Sequence, residues 1–221
     1  MNRKISFAEG EFYHIYNRGV EKRNIFNNDD DRKRFQALLY LCNSSEPVIY
    51  RLIQGSTLYK FNVGKKIVAI GAYVLMPNHF HLLVRETTEG GITEFMRKLN
   101  TAYSMYFNKK YDRVGPLFQG TFKAEHIAKD EYLKYLFAYI HLNIIKLIQP
   151  DWKEIGLRNV KLAKEFLDNF TFSSYFDYCG TQCEETVILS KDLFPKYFLD
   201  RYSFQKYLDD WLTYQVQGST L

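Results

Sequence analysis

The chain has 221 residues, 46% hydrophobic and 25% charged, a composition typical of globular proteins and not of disordered or fibrous chains. Its longest uncharged apolar run is ten residues, too short to span a bilayer. No signal peptide is recognisable, and three cysteines are too few for a disulfide framework. We therefore expect a soluble cytoplasmic protein. The net charge of +5 divides into +8 over residues 1–150 and −3 over residues 151–221, which favours a polyanionic partner for the first part.

The first half of the chain predicts a strand, a helix and a hairpin. Aromatic and β-branched residues at 12–17 indicate a strand. Residues 29–43 have helical apolar periodicity and three acidic residues in the first turn. Residues 67–76 are a buried strand by composition, and the Met-Pro-Asn turn that follows joins them to a strand at 79–85.

The second half predicts a helix at 92–111, a strand at 117–127 and a helix from 130 to about 148, with Asp130 as its N-cap. The order β-α-β-β-α-β is that of the split βαβ, or ferredoxin-like, arrangement. We therefore predict an α+β fold whose antiparallel sheet carries helices on one face and leaves the other face free to bind.

The composition also changes along the chain. Residues 151–221 are acidic and mostly helical by pattern, and no long linker precedes them. We predict a core domain over residues 1–150 and a helical C-terminal extension, residues 151–221, packed on it.

The most informative motif is His79-Phe80-His81 inside a predicted strand. Residues i and i+2 of a strand point to the same face, so the two imidazoles lie side by side. Two histidines on a rigid element can chelate one divalent ion. Alone, a His-x-His in a strand can also be accidental.

A second pattern pairs Tyr139 with Asn143, one turn apart on one face of a predicted helix. A tyrosine hydroxyl is a candidate nucleophile, and an amide oxygen is a neutral metal ligand. In a chain with 18 tyrosines, this spacing alone is more often structural. Together with the histidine pair, however, it supplies the parts needed for a metal-assisted tyrosine attack on a DNA phosphate.

Four segments of the chain, in the same order along the sequence, resemble segments of a known protein family. Residues 73–84 (YVLMPNHFHLLV) resemble the His-hydrophobic-His (HUH) strand of single-tyrosine transposases. Residues 11–26, 114–127 and 132–143 resemble further segments of the REP-associated tyrosine transposases. The likeness runs from about residue 11 to about residue 180, and the ordered set makes it specific.

This resemblance implies a ferredoxin-like catalytic domain that cleaves and joins single-stranded DNA through a 5′-phosphotyrosine, with Mg²⁺ or Mn²⁺ as the cofactor. Position by position, His79 and His81 match the metal-binding pair and Tyr139 matches the nucleophile. Asn143 matches the polar residue one turn later, as a third metal ligand. The chain has Ile144-Ile145 where the family commonly has Pro-Val, which alters how this helix ends.

Other residues are secondary candidates. Tyr135, one turn before Tyr139, is the alternative nucleophile. Arg18 and Lys123 lie in family-like segments and could hold phosphates, although a solvated surface charge is an equally simple interpretation. His141 is two residues from Tyr139 and is expected to pack in the core.

The resemblance also implies partners. We expect single-stranded or hairpin DNA as the substrate, no membrane association, and a monomer or a homodimer. Two alternative functions stay open. One is a noncatalytic RRM-like module, which binds nucleic acid by stacking bases on an exposed sheet face. The other is an HUH nickase of replication or plasmid transfer, which shares the chemistry and differs in substrate.

Overall fold

Within the part of the chain that the computed structural model describes, residues 5–47, 53 and 55–213, four strands form one antiparallel sheet. The strands are β1 (Phe12–Arg18), β2 (Val68–Met76), β3 (His79–Glu86) and β4 (Lys123–Ile127). Their spatial order is β2-β3-β1-β4. This is the order of the ferredoxin-like arrangement, so the predicted fold class is confirmed.

Strand β1 lies between β3 and β4, so side chains of all three strands lie next to one another on the same face of the sheet. It pairs with β3 on one side and β4 on the other, both antiparallel. Tyr16 lies opposite His81 of β3 and also opposite Lys123 of β4. His14, on the same face two residues earlier, lies opposite Glu125 of β4.

Helices α1 (Asp29–Leu41) and α2 (Gly91–Lys110) cover one face of the sheet. Asn28 caps α1 by accepting a hydrogen bond from the Asp31 backbone N–H. The apolar faces of both helices share one buried cluster with the inward residues of the strands, among them Ile15, Phe35 and Phe80. Phe35 and Phe80 are in direct ring contact, 4.9 Å between centroids.

The other face is not free, which corrects the sequence-based expectation for that side of the sheet. Helix α3 (Asp130–Leu142) lies on it, and Val74, Leu83, Phe137 and Ile140 belong to a second buried cluster. Every residue of β2 is buried. A strand that is apolar on both faces is typical of a sheet covered on both sides, so residues 68–76 already carried this signal.

Two element boundaries differ from prediction. Strand β4 begins at Lys123 because residues 117–122 form an irregular segment, attached to the sheet by a bridge between Gly19 and Phe118. Gly120, with φ +74°, lies in the left-handed region that favours glycine. Helix α3 ends at Leu142 and continues as a 3-10 helix over Asn143–Leu147.

The N-cap of α3 is Lys129, not Asp130 as predicted. The Asp130 carboxylate instead accepts a hydrogen bond from the Tyr197 hydroxyl, which belongs to the C-terminal segment. The acidic side chain therefore ties α3 to that segment, and it still lies in the first turn, where the helix dipole favours it.

The C-terminal segment, described as far as residue 213, contains four α-helices and packs against α3. They are α4 (Trp152–Ile155), α5 (Val160–Asn169), α6 (Tyr175–Tyr178) and α7 (Arg201–Thr213). The second buried cluster contains residues from both sides of position 150, so α3 and the C-terminal segment share one buried core. Among the described residues, no helix is long and apolar enough to cross a membrane.

His141 lies in this core, as predicted. It is fully buried. Its Nδ1–H donates to the Phe137 carbonyl at 2.7 Å, and its Nε2 accepts from the Ser174 hydroxyl at 2.7 Å. Both ring nitrogens are satisfied in the neutral form, and burial lowers the pKa of His141 to about 4.

Acid should therefore destabilise the protein. The unfolded chain binds a proton at His141 below about pH 6.5, whereas the folded protein does so only near pH 4, so stability is lost as the pH falls between these values. We expect His141 to contribute roughly 1.4 kcal/mol per pH unit in this window. Urea unfolding between about pH 7 and about pH 5 measures the slope. His141→Gln should reduce this slope, to which the buried His79 and His81 also contribute, and an unchanged slope would contradict the assignment.

Candidate active site

His79 and His81, the histidine pair, lie side by side at the start of β3. Their ring centroids are 5.0 Å apart and their planes are nearly perpendicular, at 89°. His81 is buried and His79 is half-buried. The strand alternation predicted from the sequence thus places both imidazoles together on the face that carries α3.

Asn78 fixes the orientation of the His79 ring. The Asn78 amide nitrogen donates to the Lys22 carbonyl at 3.2 Å, so its oxygen is the atom that lies 2.6 Å from His79 Nδ1. His79 Nδ1 therefore carries the proton, and Nε2 keeps its lone pair. Burial, followed by the charges of Lys146 and Arg18, lowers the pKa of His79 to about 4. The side chain is neutral at pH 7, as a metal ligand must be.

His81 has a partner that the sequence did not reveal. His81 Nδ1 lies 2.9 Å from Nε2 of His14 on β1, and the two rings stack at 5.0 Å with 21° between their planes. Burial is the main cause that lowers the pKa of His81 well below its usual value, with the neighbouring His14 and His79 next. His81 is also neutral at pH 7.

Tyr139 reaches this histidine cluster from α3. Its ring meets the rings of His14 and His81 edge-on, with centroids 5.6 Å and 5.5 Å apart. Burial raises the pKa of the Tyr139 phenol, and a hydrogen bond from the Asn143 side chain opposes that rise. The helix thus carries the predicted nucleophile to the histidine pair.

Asn143 itself is almost fully buried at the C-terminal end of α3. Its side chain interacts with the Tyr139 phenol and acts to lower the pKa of that group. Its role as a third metal ligand stays a prediction. Tyr135, the alternative nucleophile, packs against Trp211 of α7 at 4.9 Å and is 6.0 Å from the Tyr139 ring.

Two lysines that follow α3, Lys146 and Lys153, carry positive charges that help to lower the pKa of His81. The Lys153 ammonium lies 4.4 Å from the centroid of the Tyr139 ring, a distance at which a cation and an aromatic face attract. Burial, followed by the charge of Lys146, lowers the pKa of Lys153 to about 8. Both residues lie beyond the motifs that indicated the site, so no sequence pattern pointed to them.

A cavity of about 340 Å³ opens beside the histidine pair. Its walls include the histidine pair and Tyr139, together with both predicted phosphate-binding residues, Arg18 and Lys123. Arg18 donates from Nε and Nη2 to the Gln119 side-chain oxygen at 3.3 Å and 2.9 Å. Asn143 and Tyr135 do not line it. A larger cavity, about 960 Å³, lies between α1 and α2, but no histidine lines it, so we place the candidate site at the smaller one.

The donor set fits a divalent cation with open coordination positions. Both Nδ1 atoms of the histidine pair have partners, and each Nε2 keeps a lone pair when Nδ1 carries the proton. In residues 5–213, as far as they are described, no group of three or more His, Cys, Asp or Glu could hold a metal ion. A metal at the pair would therefore complete its coordination with oxygen atoms, from an amide, a phosphate or water.

Comparison with known proteins shows what the chain is similar to. A family model described as "Transposase IS200 like" matches residues 10–143. A solved structure of a REP-associated tyrosine transposase bound to a REP hairpin is similar in fold, with a TM-score of 0.51, 12% identity, and 88% of this chain and 94% of that chain covered. A putative transposase from Deinococcus radiodurans aligns with a TM-score of 0.36 and 14% identity over 63% of this chain and 95% of that chain. No curated protein matches the chain.

Proposed function

The chain belongs to the IS200-like transposase family, and from this premise we propose that it cleaves and rejoins single-stranded DNA through a covalent bond to Tyr139, with Mg²⁺ or Mn²⁺ held by His79 and His81. The observation that carries the proposal is the placement of the Tyr139 ring 5.5 Å from the His81 ring, in the wall of one cavity. A nucleophile and a pair of metal ligands that line one cavity can act on the same phosphate.

Tyr139 is the nucleophile in this proposal. Its phenol oxygen forms a bond to phosphorus while the bond from phosphorus to the 3′ oxygen breaks, which leaves a 5′-phosphotyrosine and a free 3′-hydroxyl. Because burial raises the pKa of the phenol, the proton must leave as the attack proceeds. The hydrogen bond from Asn143 and the nearby Lys153 ammonium both stabilise the developing negative charge.

His79 and His81 would hold the divalent ion through Nε2, and a metal bound there polarises the scissile phosphate. Arg18 of β1 and Lys123 of the neighbouring strand β4 line the same cavity. Their charges would pair with phosphates on either side of the scissile bond and hold the strand in register. Rejoining is the reverse reaction, in which a 3′-hydroxyl attacks the phosphotyrosine.

The substrate we propose is single-stranded DNA that carries a hairpin. The support is the fold shared with a transposase whose structure holds a REP hairpin and the +8 charge of residues 1–150. The noncatalytic RRM-like alternative needs an open sheet face for base stacking. Here α3 and the C-terminal segment cover part of that face, which favours the catalytic function.

DNA binding should weaken steeply as the salt concentration rises, because Lys and Arg release counterions from the phosphates they contact. We expect a hairpin with a single-stranded flank to bind more tightly than a blunt duplex. Replacing Arg18 or Lys123 by Gln should reduce the slope of log K against log salt by about 0.7 each on single strands. Fluorescence anisotropy at several salt concentrations measures the slope.

A matched control is Lys161→Gln. Lys161 is an exposed residue of α5 that does not line the cavity, so the same loss of charge should leave the slope unchanged. Equal slopes for all three variants would mean that Arg18 and Lys123 do not contact phosphates. Affinity that is indifferent to salt would contradict a DNA substrate altogether.

A further inference from the structure

His14 is a buried histidine to which the proposed reaction gives no task. It lies on central strand β1, at 4% exposure, with one ring nitrogen toward His81 and the other toward β4. His14 Nε2 is 2.9 Å from His81 Nδ1. On the far side, His14 Nδ1 lies 3.8 Å from the Glu125 carboxylate, a distance longer than a formed hydrogen bond.

The carboxylate decides the direction of the hydrogen bond between the two imidazoles. If His14 donated from Nε2, its Nδ1 would turn a bare lone pair toward Glu125, and the two would repel. If His14 carries its proton on Nδ1, the N–H faces the carboxylate, and Nε2 becomes the acceptor. His81 must then donate from Nδ1, which leaves the lone pair of His81 Nε2 free.

We propose that His14, oriented by Glu125, is a positioning residue that holds His81 in the tautomer with a proton on Nδ1 and a free lone pair on Nε2. The inference rests on the proposed function for the use of that lone pair, which is to bind the divalent ion. His14 is not a ligand in this arrangement, because its own Nε2 lone pair is occupied by the His81 N–H.

The other member of the histidine pair is fixed in the same sense by a different group. Asn78 accepts from His79 Nδ1, so both histidines of the pair present Nε2. The two partners come from separate elements, the turn before β3 and strand β1. Hydrogen bonds of this kind orient a metal-binding imidazole and increase its basicity, and their loss typically costs about 10–100-fold in metal affinity.

The test is the tautomer of His81 in the metal-free protein, read from ¹⁵N imidazole shifts and assigned by comparison with histidine variants. We expect the unaltered protein to carry the His81 proton on Nδ1. In His14→Phe, which keeps a ring but removes the acceptor, the population should shift toward Nε2–H. Glu125→Leu, a change at a residue 49% exposed, should shift it in the same direction without threatening the core.

Manganese binding supplies a second readout that does not depend on activity. Mn²⁺ titration followed by electron paramagnetic resonance should show about 10–100-fold weaker binding in His14→Phe, and His14→Gln, which restores an acceptor oxygen, should recover most of it. A His81 proton on Nε2 in the unaltered protein, or an unchanged tautomer in His14→Phe, would overturn the inference. Failure of the unaltered protein to bind Mn²⁺ would instead overturn the metal site of the proposed function, while the tautomer result would still decide the role of His14.

Discussion

Tyr139→Phe is expected to abolish DNA cleavage while it leaves the fold and the affinity for DNA in place. The substitution removes one oxygen, whereas the ring contacts with His14, His81 and Lys153 do not depend on it. Loss of a covalent nucleophile lowers turnover by roughly 10³-fold or more. The measurement is a denaturing gel with a labelled single strand, on which the unaltered protein should form an adduct at the 5′ side of the break. Mass spectrometry should place the adduct on Tyr139.

Tyr135→Phe is the matched control, because it removes the same atom one turn earlier on the same helix. Tyr135 packs against Trp211 and does not line the cavity, so this variant should cleave normally. An adduct on Tyr135 would shift the nucleophile by one turn. Normal cleavage by Tyr139→Phe with no adduct on any tyrosine would make water the nucleophile and the enzyme a hydrolase.

Replacing both His79 and His81 by Ala should abolish cleavage, as Tyr139→Phe does, and should in addition abolish metal binding. The double replacement removes both imidazole nitrogens that the histidine pair presents to the cation. We expect cleavage supported by Mg²⁺ or Mn²⁺ to fall to background and saturable Mn²⁺ binding to disappear. Far-ultraviolet circular dichroism should be unchanged, which separates loss of the site from loss of the fold.

His126→Ala is the control for the histidine pair. His126 is exposed on β4 and pairs with Glu11 at 2.7 Å, and it does not line the cavity. It should therefore retain both cleavage and Mn²⁺ binding. Cleavage that persists in the double variant, or in the unaltered protein with EDTA, would exclude the metal assignment.

Much of the candidate site was accessible from local sequence patterns. The two-residue period of a strand places His79 beside His81, and the order of elements predicts which strands are neighbours. The family resemblance then singles out Tyr139 among 18 tyrosines. All three residues line one cavity, so the residues that the sequence singled out lie close together in the structure.

His14 and Lys153 could not be found in the same way. The role of His14 depends on the pairing of β1 with β3 and β4, and such long-range register is not encoded in the periodicity of any one segment. Lys153 reaches Tyr139 only because α3 ends at Leu142 and the chain continues through a 3-10 helix to α4. Helix ends are among the least predictable features of a sequence.

The segment that matches the family is shorter than the segment that forms the buried core around α3. The family match stops at residue 143, one residue past the helix that carries Tyr139. The buried cluster around that helix includes Phe204, Leu208 and Leu212 of α7. A fragment dissected at the family boundary would keep the histidine pair and Tyr139, but it would expose the apolar side of the helix that aims the phenol. The proposed catalytic groups and part of the scaffold that positions them are therefore encoded in different stretches of the chain, and protein engineering must keep the two together.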